Sequence, residues 1–213
     1  MKFLFSASIL FSLIIYSECL RAAEGNWKEK SCSEMINLYQ DSISQANDEK
    51  AELDKAILKG DLIKVNSQAK SLSRSALGKA LIQHGLVTAA WVGRVPMIDA
   101  LLEQGADPNS SDEKLGITPM IAAASCGHIE AMNALHIGGA SFTAVPTIHG
   151  PSAVNNPLET AILSKQNDAA LWLIHNGFNP CASMGNAELQ KFRLLSEKFH
   201  LSVSRHLVCG SEK

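Results

Sequence analysis

Seven histidines and five cysteines are the side chains of this chain best suited to chemistry, and their spacing argues against most of it. A zinc hydrolase needs two histidines one helical turn apart beside a glutamate. A phosphate site needs a glycine-rich turn before a lysine, and an α/β-hydrolase needs a serine in a Gly-x-Ser-x-Gly elbow. None of these patterns occurs. His200 and His206 are six residues apart on a predicted terminal helix, so they face different ways and make a poor ligand pair. Asp107 and Asp112 read as turn residues rather than a carboxylate pair in a cleft. No two cysteines have the CxxC spacing of a redox or zinc motif. The expectation is therefore no metal, no cofactor and no enzyme, with a hydrolase built from scattered His and Ser as the catalytic alternative.

The cysteines instead speak to compartment. Residues 1–23 place Lys2 before an apolar run over 3–16 and end in Ala22 and Ala23, the three-part layout of a secretory leader. The run is shorter than the ~20 residues a membrane-spanning helix needs, which makes an uncleaved anchor the lesser reading. Cys19 falls inside the leader behind Glu18, a poor context for lipid attachment, and is read as discarded; lipidation is the alternative. Removing Lys2, Glu18 and Arg21 takes the net charge from −2 to −3. Cys32, Cys126, Cys181 and Cys209 then remain, and in an exported chain they permit two disulfides in three pairings. Cys181–Cys209 is favoured because it ties the terminal segment to the body; Cys32 and Cys126 are also possible partners. The alternative is free thiols packed as small hydrophobes.

The elements that position these residues are helical. The chain is 46% hydrophobic but only 6% aromatic, which suits close-packed helices better than a β-sandwich. Its small negative charge offers no basic surface for nucleic acid. Glycines that follow apolar helical runs recur at 105, 139 and 177, intervals of 34 and 38 residues. In the middle unit Thr118 can cap a helix whose first residue is Pro119. Residues 122–124 are all alanine, so a second helix can approach closely, and Gly127 permits a tight turn. Ile129, Met132 and Leu135 then line one face of a helix that ends at Gly139. Such a short pair buries too little apolar surface alone, whereas stacked copies share one core.

This unit resembles the ankyrin repeat. The middle copy carries GITPM at 116–120, Ala123-Ala124, Gly127-His128 and Gly139-Ala140. The first keeps Ala89-Ala90, Gly93, Leu101-Leu102 and GADPN at 105–109, but has His84-Gly85 where Thr-Pro is usual. The third keeps Asn156-Pro157-Leu158, Ala161 and Gly177, but has Lys165 for the mid-unit glycine. The histidine usual two places after the proline is Ile121 in the middle copy and Glu159 in the third. The resemblance implies an all-α solenoid of stacked helix pairs over 51–205, clear over about 84–182, with degenerate terminal repeats. Residues 24–50 are expected to hold an extra N-terminal capping helix over the end of the stack, announced by the Ser31-x-x-Glu34 capping box and the stripe Ile36, Tyr39, Ile43, Ala46. Residues 206–213 form a tail.

Ankyrin-like arrays bind proteins through loop tips and the inner helix of each pair. Carried onto this chain, that implies a partner-binding surface at Lys114, Leu115, Ile117, Ser125 and Cys126 in the middle copy, Trp91 and Val92 in the first, and Leu163 and Ser164 in the third. Trp91 is either the anchor of that surface or core beneath the preceding repeat; Trp172 reads as packing. His128 stands where the repeat uses a histidine for structural hydrogen bonding. The long loop over 143–155 is a second candidate. Exported modules of this size resemble bacterial periplasmic ankyrin-repeat proteins of two kinds: immunity proteins that block a toxin, and partners that stabilise an enzyme such as a haem catalase. The first expectation is immunity, in the periplasm or secreted, toward one protein partner and with no membrane span after processing. The enzyme partner, a secreted host-directed effector and the hydrolase are the alternatives.

Overall fold

The computed structural model describes residues 31–44, 48–112, 117–143 and 156–208. The expected leader, Lys114 and Leu115, most of the long loop and Cys209 lie outside the described residues. Every regular element among the described residues is helical. Four helix pairs follow one another: α2 (Glu49–Lys59) with α3 (Leu62–Leu72), α4 (Ala76–Val92) with α5 (Val95–Glu103), α6 (Pro119–Cys126) with α7 (Ile129–Ile137), and α8 (Pro157–Leu163) with α9 (Asn167–His175). The first helices of the pairs stack on each other in order, as do the second, giving the all-α solenoid. The short α10 (Pro180–Ser183), then α11 (Asn186–Lys198) and a 3-10 turn (Ser202–His206), close the far end against α8 and α9. The core is one continuous cluster running the length of the stack.

Local chemistry fixes the helix ends. Thr118 and Asn156 accept hydrogen bonds from the backbone N–H groups of Ile121 and Glu159, and Pro119 and Pro157 follow them in α6 and α8. Each inner helix ends on a left-handed residue: Gly60, Gly93, Gly127 and, in the fourth pair, Lys165. Space adds a reason for glycine at Gly93 and Gly127. The residue after the turn in each unit lies over the glycine of the unit before. A Cβ on Gly93 would sit 2.7 Å from the His128 ring, and one on Gly127 would sit 2.5 Å from the Gln166 side-chain oxygen. Beyond the fourth pair α11 packs on α8 and the 3-10 turn on α9, and the Lys165 ammonium lies 4.9 Å from the centre of the Phe199 ring. Gly93→Ala should therefore destabilise by about 2 kcal/mol, from a left-handed alanine and a displaced His128. Chemical denaturation checks this, and an unchanged midpoint would mean the turn relaxes freely.

The N-terminal helix α1 (Cys32–Ile43) forms with the expected capping box between Ser31 and Glu34. It does more than cap the end of the stack. Cys32 is bonded to Cys126 at the end of α6. Tyr39 packs edge-on against Trp91 of α4, with ring centres 5.9 Å apart, and reaches Asp54 of α2. Seven residues of helix rise about 10 Å, roughly one helix-to-helix spacing. So α1 runs back across three successive inner helices, α6, α4 and α2. Tyr39 thus finds its cover on the inner face, against Trp91 and Asp54.

Candidate functional site

The inner helices present one register position, two residues before the left-handed turn, to the same side: Leu58, Trp91, Ser125 and Leu163. Where α1 crosses, this position is closed. Trp91 is 0% exposed, so its role as an exposed anchor is corrected: it is core, covered chiefly by Tyr39 of α1. Cys126, half-buried on the same face, is bonded through its sulfur to Cys32. The Cys32 sulfur also lies 3.6 Å from the Ser125 carbonyl oxygen. Beyond α1 the register stays open, and Ser125, Leu163 and Ser164 are half-buried, as are Val92 and Ile117. Cys181 is also disulfide-bonded; its favoured partner Cys209 lies outside the described residues.

Under α1 lies a buried polar chain that the sequence reading did not assemble. The Tyr39 hydroxyl donates to Asp54 Oδ2 at 2.6 Å. His84 Nε2 stands 3.1 Å from the same oxygen, and His84 Nδ1 stands 2.6 Å from Asp112 Oδ2. Thr88 Oγ1 is 3.3 Å from His84 Nε2. Asp54, His84, Thr88 and Asp112 are all buried. Burial alone would lower the His84 pKa, but the Asp54 charge and the hydrogen bonds that the ring donates to Asp112 and Asp54 outweigh it and hold it above its ordinary value. Burial would raise the Asp54 pKa, but the His84 charge, its hydrogen bond and that of Tyr39 hold it below. Burial first, then the charge and hydrogen bond of Asp54, push the Tyr39 phenol well above 10. The cluster holds the His84 ring between two buried carboxyl groups and ties α1, α2, α4 and the loop after α5 together.

The local reason is a change of role at one position. Thr118 and Asn156 cap the starts of α6 and α8, whereas α4 begins earlier, capped by Ser75. That leaves His84 in mid-helix with its ring free to reach sideways. His128 packs over Gly93 with a hydrogen bond to the Trp91 backbone, and burial holds its pKa down. Trp172, half-buried on α9, makes edge contacts with His136 of α7 and with Phe142 in the turn that follows α7. Among the described residues no group of His, Cys, Asp and Glu is arranged to hold a metal ion, and no helix is long and apolar enough to cross a membrane.

Residues 86–184 match the family model described as ankyrin repeats (3 copies). A curated relative, the ankyrin repeat protein nuc-2 of Neurospora crassa, is 46% identical over 70 residues. That match covers 26% of this chain, and the chain spans only 6% of the relative's length. Residues 86–184, which hold the left-handed turns at Gly93, Gly127 and Lys165, are thus similar to ankyrin repeats, and ankyrin repeats are protein-interaction modules.

Proposed function

We propose that this protein is an exported binding module that holds one protein partner non-covalently, and that it acts as an immunity protein against a toxin delivered to the periplasm. The observation that carries the binding reading is the unequal cover of the inner face. Trp91 and Leu163 share one register position, yet α1 seals the first and leaves the second half-exposed. The open stretch from Ser125 to Ser164 is where a partner can add the missing cover. Export is supported by the three-part layout of residues 1–23 and by the Cys32–Cys126 bond, a kind of link that persists in oxidising compartments. Immunity accords with a non-catalytic surface that occludes rather than reacts.

Paired substitution tests the surface. Leu163→Ala together with Ser164→Glu should weaken partner binding at least tenfold, about 1.4 kcal/mol, while thermal melting moves by only a few degrees. The measurement is capture from native envelope extract with wild-type and substituted protein side by side, followed by titration of the captured protein. Capture of a toxin whose activity the wild type blocks, and the double variant does not, supports the proposal. An enzyme whose activity falls when this protein is removed would replace immunity with a stabilising role, and equal capture by both forms would move the binding face elsewhere.

A further inference from the structure

We propose that α1 is a releasable occupant of the inner face, held there by the Cys32–Cys126 bond, and that opening the bond bares a groove that accepts an amphipathic helix from a protein partner. This rests on reading the inner face as the partner-binding face, and it adds what occupies that face first.

Three observations carry it. First, α1 lies across the array in the manner of a bound helix: Tyr39 and Ile43, four residues apart on one face, are its fully buried side chains, and Met35 and Ile36 are half-buried. Its opposite face, with Ser33, Asn37, Leu38, Gln40 and Asp41, stays exposed. Second, the floor beneath it is built to receive a helix. It offers the Trp91 ring to an aromatic side chain, and Asp54 to a phenolic hydroxyl at 2.6 Å. Third, the fastening is at the far end from the chain connection. The segment joining α1 to α2 leaves from the Ile43 end, whereas Cys32 is fixed to α6 across a sequence separation of 94. A twelve-residue helix is marginal on its own in water. Without the bond, the apolar contacts of its N-terminal half are those of the half-buried Met35 and Ile36.

Cys32 and Cys126 are half-buried rather than sealed in the core, so a thiolate can reach them. The opening reaction is exchange with a protein dithiol. One thiolate of the reductant attacks a sulfur of the bond, the S–S link breaks, and a mixed disulfide forms. The second thiolate resolves that intermediate. Two electrons and two protons pass in all, leaving Cys32 and Cys126 as thiols and the reductant as a disulfide.

Hydrogen exchange on the full chain tests the release without any partner. The oxidised protein is compared with Cys32→Ser, and Cys181→Ser serves as the control for loss of a different disulfide. Amides of α1 should exchange at least tenfold faster in Cys32→Ser only, while those of α6 to α9 keep their protection. Unchanged protection of α1 would overturn the proposal, because the helix would be docked without its fastening. Loss of protection from α4 through α9 together would overturn it too, since the bond would then hold the whole stack. The groove has its own measurement. A synthetic peptide of residues 31–44, retaining its cysteine, is added in a glutathione buffer to the Cys32→Ser chain. It should be trapped on Cys126 at least tenfold faster than the same peptide carrying Tyr39→Ala and Ile43→Ala. Equal trapping would show that no helix-binding groove lies there. Neither result depends on a partner, so failure here leaves the open surface at Leu163 and Ser164 standing.

Discussion

Trp91→Ala should remove about 3–5 kcal/mol of stability, the range for truncating a fully buried aromatic side chain in a packed core. For a chain of this size that corresponds to a melting temperature lower by roughly 6–20 °C. Trp91 is 0% exposed and sits where α1 crosses α4, so the cavity opens between two elements rather than inside one. Collapse into it is restrained, because α1 is fastened at Cys126 on one side and at Asp54 on the other. Trp91→Phe keeps most of the ring and should fall well short of that loss. Thermal denaturation followed by circular dichroism makes the measurement. A shift of less than about 2 °C for the alanine variant would mean that Trp91 does not hold α1 to the stack. A selective loss of partner affinity with stability intact would return Trp91 to the binding surface.

This outcome differs from what the register of Trp91 suggests, and the difference shows which links were legible in the amino-acid order. The helix pairs were legible because their signals are local: a capping Thr or Asn before proline, a small-residue inner helix, and a glycine where the chain must turn left-handed. Even Lys165, in the glycine position, obeys the same backbone requirement with a φ of 58°. The apolar stripe of α1 was legible as well, since Tyr39 and Ile43 lie four apart. What it packs against was not, because periodicity reports that a face is buried and is silent about the surface that buries it. The pairing of Cys32 with Cys126 spans 94 residues, and no local pattern encodes it. For Cys126 the covering element is the chain's own first helix. His84 stood out only as a departure from Thr-Pro, since its partners Asp54 and Asp112 lie 30 and 28 residues away. One clue was in reach. Asp54 and Glu159 both lie six residues before a left-handed turn, where a carboxylate inside a helix stack demands a partner.

That demand sets the second large effect, the replacement of His84 by leucine. Leucine has a similar volume but no charge and no donor, so Asp54 and Asp112 would face each other in the core without the cation between them. Breaking a buried ion pair from one side costs about 3–5 kcal/mol, because the remaining charges stay desolvated. The Tyr39 hydroxyl donates to Asp54 in either protein, and Lys50 lends it some opposite charge, but neither replaces two bonds from one imidazolium. The pH profile separates this cause from simple repacking. In the wild type His84 has a folded pKa above its unfolded value of about 6.5, so its contribution is complete below that pH and fades as pH climbs through the folded value. Asp54 has a folded pKa below its unfolded value of about 3.9, so its contribution is complete above that pH and fades on acidification through the folded value. Together they give the wild type a plateau from about pH 4 to 6.5, with stability declining on the alkaline side. In His84→Leu the sign reverses at Asp54. A buried carboxyl that has lost its neighbouring cation is more easily protonated when folded than when unfolded, so the variant should gain stability as pH falls from 7 toward 4. Urea titrations at pH 4.5, 6 and 8.5 should show the gap between the two proteins widest near pH 6 and narrower at both ends. A gap that is the same at all three would mean that His84 acts by its shape alone, and that the two aspartates are satisfied without it.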